Sequence, residues 1–282
     1  MQKMESFLNK IYETHIKQSR EDRNVAQWTI DKLKADLCQF QAHVSSVVPP
    51  NSKARLLPRI VDVVSSGSKR KGLDLPDSDW DLLLVLETKP LATSDETLKH
   101  LKAFIKCFLA SKRVTTAKFT TTWVSVALED YFGCDFDLLP AYQSSPGKFQ
   151  VPDGWNNWNG SHYNEEVERA KNARDSFFNY SYCVKLLKFL RDEGGWKVKS
   201  YALQMLVEEY IVRQKPEKDA NKGPCVVYCL EALVRKLKER TELKRYGDDF
   251  LSFYWKSKNK DHLAADVVSI EKMNERLKAL GK

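Results

Sequence analysis

The sequence has little that would place the chain in a membrane or hold it together by disulfides. No apolar run approaches the length of about 20 residues that a membrane-spanning helix requires, and residues 1–5 lack the apolar core of a signal peptide. The 6 cysteines are scattered without a disulfide-like framework, and the 5 histidines do not cluster. These absences predict no membrane partner, a cytoplasmic or a cytoplasmic and nuclear location, and a mechanism that does not depend on histidine.

The composition is typical of a folded globular protein that meets anionic partners. The chain has 282 residues, of which 42% are hydrophobic and 11% aromatic, enough for one large domain or two intimate lobes. Its formal net charge of +8 favours nucleotides or nucleic acid as partners, although a solvated basic surface would give the same balance. We find no internal repeats or low-complexity segments.

The chain is organised around residues 65–86, where a Gly-Ser turn, a basic segment and an Asp-x-Asp pair precede an apolar run. Gly67 can adopt backbone angles closed to other residues, and Ser68 offers a hydroxyl beside exposed amides, which suits a phosphate. Asp79 and Asp81 stand two residues apart at the start of a predicted strand, so both carboxylates point to one face. This order of features predicts a site for a divalent metal and a nucleoside triphosphate.

A second acidic strand follows. Residues 134–140 are predicted to form a strand antiparallel to the alternating strand at 121–128. Asp135 and Asp137 share one face of it, so the pattern leaves both open as a third carboxylate. Three converging carboxylates could hold two Mg²⁺ ions, whereas the alternative is that these aspartates only cap turns and a sheet edge.

Helical patterns lie on both sides of this β-rich part, which predicts a mixed α/β fold. A first helix is predicted at 4–17, and a capping box at Ser19 predicts the start of a second. Residues 143–161 are rich in Ser, Pro, Gly and Asn, which predicts an irregular crossing between lobes. Beyond it, helices are predicted at 165–193, 199–214 and 225–241 and from residue 261.

Three strings of residues resemble the template-independent branch of the polymerase-β-like nucleotidyltransferases: Gly67-Ser68, Asp79-Trp80-Asp81 and Phe136-Asp137-Leu138-Leu139-Pro140-Ala141. Within this branch the chain is similar to 2′-5′-oligoadenylate synthases, cyclic GMP-AMP synthase-like receptors and bacterial signalling nucleotidyltransferases. The Asp-Leu-Leu-Pro-Ala string is particularly close to the synthases.

This resemblance implies a two-lobed nucleotidyltransferase fold. A mixed-sheet catalytic lobe with an N-terminal spine helix would occupy residues 1–145, and a helical lobe at 146–282 would close the nucleotide cleft. The resemblance selects Asp137 as the third metal ligand beside Asp79 and Asp81.

The resemblance also implies nucleotide contacts. Gly67, Ser68 and Lys71 would bind the triphosphate from the catalytic lobe. From the helical lobe, Lys188 would contact the triphosphate and Tyr201 would stack near a base. A solvated helix face is the alternative for Lys188, and core packing is the alternative for Tyr201.

The implied activity is metal-dependent, template-independent synthesis of a 2′-5′-linked oligoadenylate or related second messenger. The substrates would be ATP, or ATP and GTP, with two Mg²⁺ ions, or Mn²⁺ in their place. Such an enzyme would serve innate immune or antiviral signalling and be activated by double-stranded RNA or DNA. Cyclic dinucleotide synthesis, RNA tailing and a catalytically silent nucleic-acid-binding relative are the alternatives. The oligomeric state is left open.

Basic residues ahead of the catalytic strands predict the nucleic-acid contact: Lys32, Lys53, Arg55 and Arg59. A solvated face is again the alternative. Two features depart from the relatives: Ser65-Ser66 stands where RNA-activated synthases often place a lysine, and the cysteines do not form the zinc thumb of the vertebrate DNA sensor. Cys225 and Cys229 are one helical turn apart and are expected to be buried small hydrophobes rather than half of a metal site.

Overall fold

The computed structural model describes residues 1–17, 20–76, 78–114, 117–146, 148–161, 163–242 and 260–281. It divides into two units. The sheet unit comprises residues 18–72 and 77–168, and the helical unit comprises residues 1–17, 73–76 and 169–282. This division differs from the predicted lobes, because the first 17 residues belong to the helical unit and residues 146–168 to the sheet unit.

The sheet unit contains a mixed sheet of seven strands among the described residues. Its central pair is parallel, and every other pairing is antiparallel. The order along the main path is β1-β2-β5-β4-β3, and β6 and then β7 extend it beside β5. The strands are β1 (Ile60–Ser65), β2 (Trp80–Leu86), β3 (Lys118–Thr121), β4 (Val126–Tyr131), β5 (Cys134–Ser145), β6 (Lys148–Pro152) and β7 (Trp158–Ser161).

Two of the predicted strands are confirmed, and one predicted loop is corrected. Residues 134–140 lie in β5, which pairs antiparallel with β4 as predicted. Residues 82–86 of β2 are all buried, as expected for a strand that is apolar on both faces. The strand predicted at 121–128 is interrupted by a turn at residues 122–125. The predicted irregular crossing at 143–161 is wrong, since β5 runs to Ser145 and β6 and β7 form a hairpin beside it. Pairing of β6 with β5 and of β7 with β6 overrides the loop-like composition here.

Helices α2 (Arg20–Ala42) and α5 (Ser94–Lys112) pack their apolar faces on the sheet. Leu33 and Leu37 are fully buried, and the Phe40 ring meets Phe104 edge to face at 5.0 Å. This confirms the predicted spine helix. Asp36 of α2 completes the packing with three polar contacts: to Lys112 Nζ at 2.8 Å, to Tyr131 Oη at 3.0 Å and to Lys32 Nζ at 3.2 Å. Two short helices, α3 (Val44–Val47) and α4 (Gly67–Arg70), flank β1.

The helical unit has a core of its own, formed by apolar side chains from all its main helices. The predicted continuous helix at 165–193 is two helices, because residues 177–179 separate them. The elements are α1 (Gln2–Ile11), which continues as a π-helical turn (Tyr12–Ile16), α7 (Tyr180–Glu193), α8 (Ser200–Gln214), α9 (Lys222–Glu242) and α10 (Lys260–Gly281). Helix α6 (Tyr163–Ser176) begins in the sheet unit and belongs to the helical unit from residue 169 onward. The mixed sheet together with this helical unit confirms the predicted fold class.

Some predictions fall outside the described residues. Ser19 of the predicted capping box lies there, as does the aromatic group of the tail: Phe250, Phe253, Tyr254 and Trp255. Across the part that the structure describes, no helix combines the length and apolar character needed to cross a bilayer.

Candidate active site

Asp81 and Asp137 stand side by side on the two central strands. The parallel pairing of β2 with β5 places Asp81 opposite Asp137 and Trp80 opposite Phe136. Because residues directly opposite each other in a sheet point to the same face, the two carboxylates share a face. Both residues are half-buried. The structure therefore brings together one carboxylate of the first acidic pair and one of the second.

Ser125 holds the Asp137 carboxylate in place. Its Oγ donates to Asp137 Oδ1 at 3.1 Å and lies 2.8 Å from Thr122 Oγ1. Ser125 is buried, so water does not compete strongly for this hydrogen bond. Sequence reasoning missed this residue; the available signal was a Thr-x-x-Ser turn just before β4.

Asp135 lies two residues before Asp137 on the same face of β5, but its side chain makes a different contact. Its side chain is exposed, and its Oδ1 accepts a hydrogen bond from the Asp130 backbone N–H at 2.7 Å. This contact closes the turn between β4 and β5, where Asp130, Phe132 and Gly133 all have positive φ. Asp135 thus caps a turn, while Asp137 lies alongside Asp81.

Asp79 lies just before β2, and although the residue as a whole is exposed, neighbouring groups partly surround its carboxyl. Partial burial, followed by the charges of Asp137 and Asp135, raises the pKa of Asp79 above its usual value, and Lys69 opposes this effect. The carboxylates are therefore close enough to repel one another. A divalent cation bound among them would relieve that repulsion.

The Gly-Ser turn packs directly against Asp81. Gly67 has φ +63°, and a Cβ built on it would lie 1.7 Å from Asp81 Oδ2. The backbone N–H of Ser66 donates to the Asp81 carbonyl at 2.7 Å, which fixes the start of the turn on β2. Ser68 is half-buried in the first turn of α4. The predicted phosphate-binding turn and the predicted metal ligand therefore form one continuous structure.

The basic segment after this turn is partly buried. Lys69 Nζ lies 4.4 Å from the centre of the Trp80 ring, a cation–π contact. Lys71, predicted at the triphosphate, is 8% exposed and forms an ion pair with Glu166 at 2.8 Å.

Lys188 and Tyr201, the other predicted nucleotide contacts, lie in the helical unit. Lys188 is 5% exposed, and its Nζ donates to the Leu73 carbonyl at 2.6 Å. Tyr201 is half-buried; its Oη accepts from Arg169 at 3.1 Å, and the guanidinium lies 5.5 Å from the ring centre. Lys188 thereby anchors the segment at residues 73–76, which joins the Gly-Ser turn to Asp79 in sequence and belongs to the helical unit.

The four residues predicted to contact nucleic acid differ in their contacts with the rest of the protein. Lys32 pairs with Asp36 at 3.2 Å and lies 5.2 Å from the Phe132 ring centre. Arg55 donates to the Val48 carbonyl through Nε at 2.9 Å, which closes the turn after α3. Lys53 and Arg59 are exposed.

The donor set suits magnesium, although the structure does not contain a ready-made cluster. Among the described residues, no three His, Cys, Asp or Glu side chains already lie together in a metal-binding arrangement. Carboxylate oxygens are nevertheless the ligands that Mg²⁺ takes from proteins, usually one or two of them together with substrate phosphates. Asp81 and Asp137 in register, with Asp79 nearby, match that requirement.

Cys225 and Cys229 are buried, as predicted. Cys225 and Cys229 on α9 and Cys183 on α7 are all fully buried in the core of the helical unit. Burial first, and then hydrogen bonds with Cys183 and Cys229, raise the pKa of Cys225 well above its usual value. These thiols pack as small apolar groups.

Comparison with known proteins gives matches at the level of structure. No protein-family model matches the chain, and no curated protein matches it. The structure of CdnC from E. coli MS115-1 with ATP matches with a TM-score of 0.63 at 13% identity, covering 98% of this chain and 91% of that chain. The Vibrio cholerae DncV cyclic AMP-GMP synthase with its linear intermediate 5′ pppA(3′,5′)pG gives a TM-score of 0.61 at 12% identity, covering 95% and 88%.

A third match extends the same relationship. The CD-NTase CdnG from Bradyrhizobium diazoefficiens with GTP gives a TM-score of 0.55 at 11% identity, covering 86% of this chain and 84% of that chain. At identities this low the likeness establishes the fold. The chain therefore has the two-lobed nucleotidyltransferase fold of these proteins.

Proposed function

We propose that this chain is a metal-dependent, template-independent nucleotidyltransferase that makes a nucleotide second messenger from ATP, or from ATP and GTP, in the cytoplasm. The observation that carries the proposal is the register of Asp81 with Asp137, with the Gly67 turn packed against Asp81. Carboxylates from two strands beside a phosphate-binding turn are suited to nucleotidyl transfer, and the fold agrees with this chemistry.

In the proposed reaction, a ribose hydroxyl of the acceptor nucleotide attacks the α-phosphorus of the donor. A new P–O bond forms, the bond to pyrophosphate breaks, and the hydroxyl proton passes to Asp137. Asp79, Asp81 and Asp137 would hold the Mg²⁺ ions, which would supply charge stabilisation at the reacting phosphates and at the leaving group. The Gly67-Ser68 turn binds the triphosphate through its backbone amides and the Ser68 hydroxyl.

A cyclic dinucleotide is the product that the structural comparison favours, because one neighbour is described as a cyclic AMP-GMP synthase. The second candidate is a linear 2′-5′ oligoadenylate, made under control of double-stranded RNA or DNA. It is favoured by the Asp-Leu-Leu-Pro-Ala string at residues 137–141, which lies in β5 beside β2. Both candidates use the same carboxylates.

The test incubates the full chain with Mg²⁺ and labelled ATP, GTP, CTP and UTP, with and without double-stranded RNA or DNA. Products are separated and then digested with nucleases specific for 2′-5′ or 3′-5′ bonds. A parallel reaction contains a labelled RNA, whose 3′ end would be extended only by a tailing enzyme.

We expect a small product formed from nucleotides alone. Resistance to phosphatase would identify a cyclic product, because a cyclic molecule has no terminal phosphate. Extension of the RNA would replace the proposal with tailing. Nucleic-acid binding without nucleotide turnover under any condition would replace it with a silent binding protein.

A further inference from the structure

Two tryptophans of the sheet unit project from neighbouring turns. Trp123 lies in the turn between β3 and β4 and is 77% exposed, and Trp155 lies in the turn between β6 and β7 and is 79% exposed. A large aromatic ring in water forgoes the free energy that burial would provide. Two such rings on adjacent turns therefore mark a surface for a partner with a flat apolar face.

The first turn is rigid and is tied to the proposed active site. The Thr122 N–H donates to the Ser125 carbonyl at 2.9 Å, and the Ser125 N–H donates to Thr122 Oγ1 at 2.9 Å. The Ser125 Oγ that ends this turn is the group that contacts the Asp137 carboxylate. Trp123 is thus two residues, at most about 7–8 Å of backbone, from a side chain that touches Asp137.

The second turn is also hydrogen-bonded and lies close to the first. Asp153 Oδ1 accepts from the Trp155 N–H at 2.7 Å and from the Asn157 N–H at 3.1 Å. Gly154 has φ +79°, and a Cβ built on it would lie 3.5 Å from the Trp123 Cβ. The two turns therefore lie close together, and each has its own backbone hydrogen bonds around its tryptophan.

We propose that Trp123 and Trp155 bind the base of a nucleotide whose phosphates lie at the Asp81–Asp137 carboxylates. This proposal rests on the proposed function. A base is joined to its phosphate through a single ribose, so a base-binding surface has to lie close to the carboxylates, as the Trp123 turn does. Hydrogen-bonded turns suit stacking because little backbone freedom is lost when the base binds. Since every base has a π-face, the surface would accept adenine and guanine alike.

The experiment measures equilibrium binding of three probes to the full chain. The first two are the α,β-methylene analogues of ATP and GTP, which cannot release pyrophosphate. The third is ribose 5-triphosphate, which has the same phosphates and no base. The variants are Trp123→Ala, Trp155→Ala and Trp123→Phe. The matched control is Trp28→Ala, because Trp28 is the same residue type in the same unit, is 57% exposed and lies on α2.

We expect Trp123→Ala and Trp155→Ala to bind both nucleotide analogues about 5- to 150-fold more weakly, the range of one stacking contact. Binding of ribose 5-triphosphate should not change, Trp123→Phe should retain most of the affinity, and Trp28→Ala should match the unaltered chain.

Several outcomes would overturn the inference. Unchanged nucleotide affinity in both alanine variants would assign the surface to another partner, such as a protein, and would leave the proposed function intact. An equal loss for ribose 5-triphosphate, or an equal loss in Trp28→Ala, would show a general structural effect rather than base binding. If the unaltered chain binds none of the probes, the proposed function fails together with the inference.

Discussion

The carboxylate of Asp81 occupies the space where a side chain at position 67 would begin. A Cβ at Gly67 would lie 1.7 Å from Asp81 Oδ2, well inside van der Waals contact. The left-handed conformation of Gly67, with φ +63°, allows this approach at no steric cost. The predicted phosphate-binding turn and the predicted metal ligand therefore cannot be altered independently.

Gly67→Ala should both destabilise the protein and displace Asp81. Strain at the positive φ costs about 1–2 kcal/mol of unfolding free energy, and the clash adds to it. The control is Gly133→Ala, since Gly133 has φ +76° with nothing within 4 Å of its built Cβ. Only Gly67→Ala should raise the Mg²⁺ concentration needed for half-maximal activity. The same Mg²⁺ requirement in both variants would contradict the coupling of the turn to Asp81.

Asp137→Asn should lower the rate of nucleotidyl transfer by about 100-fold or more. Mutation of a residue that only hydrogen-bonds to a metal ligand already lowers metal affinity or activity by about 10–100-fold. Asp135→Asn is the control. Its amide oxygen can still accept from the Asp130 N–H, so the turn is kept and activity should stay within a few-fold. Initial rates at saturating ATP and Mg²⁺ measure both. Equal losses would place Asp135 in the reaction as well.

The stability of the metal-free protein should depend on Asp79. Partial burial first, and then the charges of Asp137 and Asp135, raise the pKa of Asp79 above its usual value. The folded state thus holds this proton more tightly than the unfolded state does, and ionisation destabilises the fold as pH rises through the folded pKa. In EDTA at pH 7, Asp79→Asn should therefore melt at a higher temperature than the unaltered chain.

Well below the ordinary aspartate pKa of about 3.9, the Asp79 carboxyl is protonated in both states, so the advantage of Asp79→Asn should vanish. Excess Mg²⁺ at pH 7 should stabilise the unaltered chain more than the variant. Asp219→Asn, at an exposed carboxylate of the helical unit, serves as the control. It should change neither the melting temperature in EDTA nor the stabilisation by Mg²⁺. A lower melting temperature for Asp79→Asn at pH 7 in EDTA would mean that the carboxylate contributes to the fold.

Ser125→Ala should weaken metal binding by removing the hydrogen bond that orients Asp137. Loss of such an outer partner typically costs about 10–100-fold in metal affinity. Titration with Mn²⁺, followed by electron paramagnetic resonance, measures this without turnover. The control is Ser111→Ala, which removes a hydroxyl on α5 that donates to the Phe108 carbonyl at 2.7 Å. This variant should leave the Mn²⁺ affinity unchanged. Equal affinities in the two variants would remove Ser125 from the site.

Lys188→Met should lower the unfolding free energy by about 1–3 kcal/mol, because the Leu73 carbonyl would lose a charged donor in a buried environment. Lys272→Met, at an exposed position of α10, should be nearly neutral. Chemical denaturation measures the change. A raised KM for ATP with unaltered stability would instead assign Lys188 to the triphosphate, the role that the family resemblance implies.

Local sequence patterns predicted most elements of this fold because strands and helices bury side chains with fixed periods of 2 and 3.6 residues. The apolar run of β2 and the alternating faces of α2 and α5 are examples. The hairpin of β6 and β7 escaped prediction because the Asn, Gly and Ser residues of β7 are typical of loops. They form a strand only by pairing with β6, which in turn pairs with β5. The break between α6 and α7 also escaped prediction, because residues 177–179 contain no proline or glycine that would mark the end of a helix.

The sequence by itself determined that acidic residues would begin two strands and that a Gly-Ser turn would precede them, since these features depend on neighbours a few residues apart. Tertiary structure decided which of the acids meet. Asp81 and Asp137 are adjacent only through the parallel register of β2 and β5, which hydrogen bonds between distant segments fix. In the same way, tertiary packing turned Lys188 into a buried donor to Leu73 and brought Gly67 against Asp81. Local periodicity does not reach across such separations.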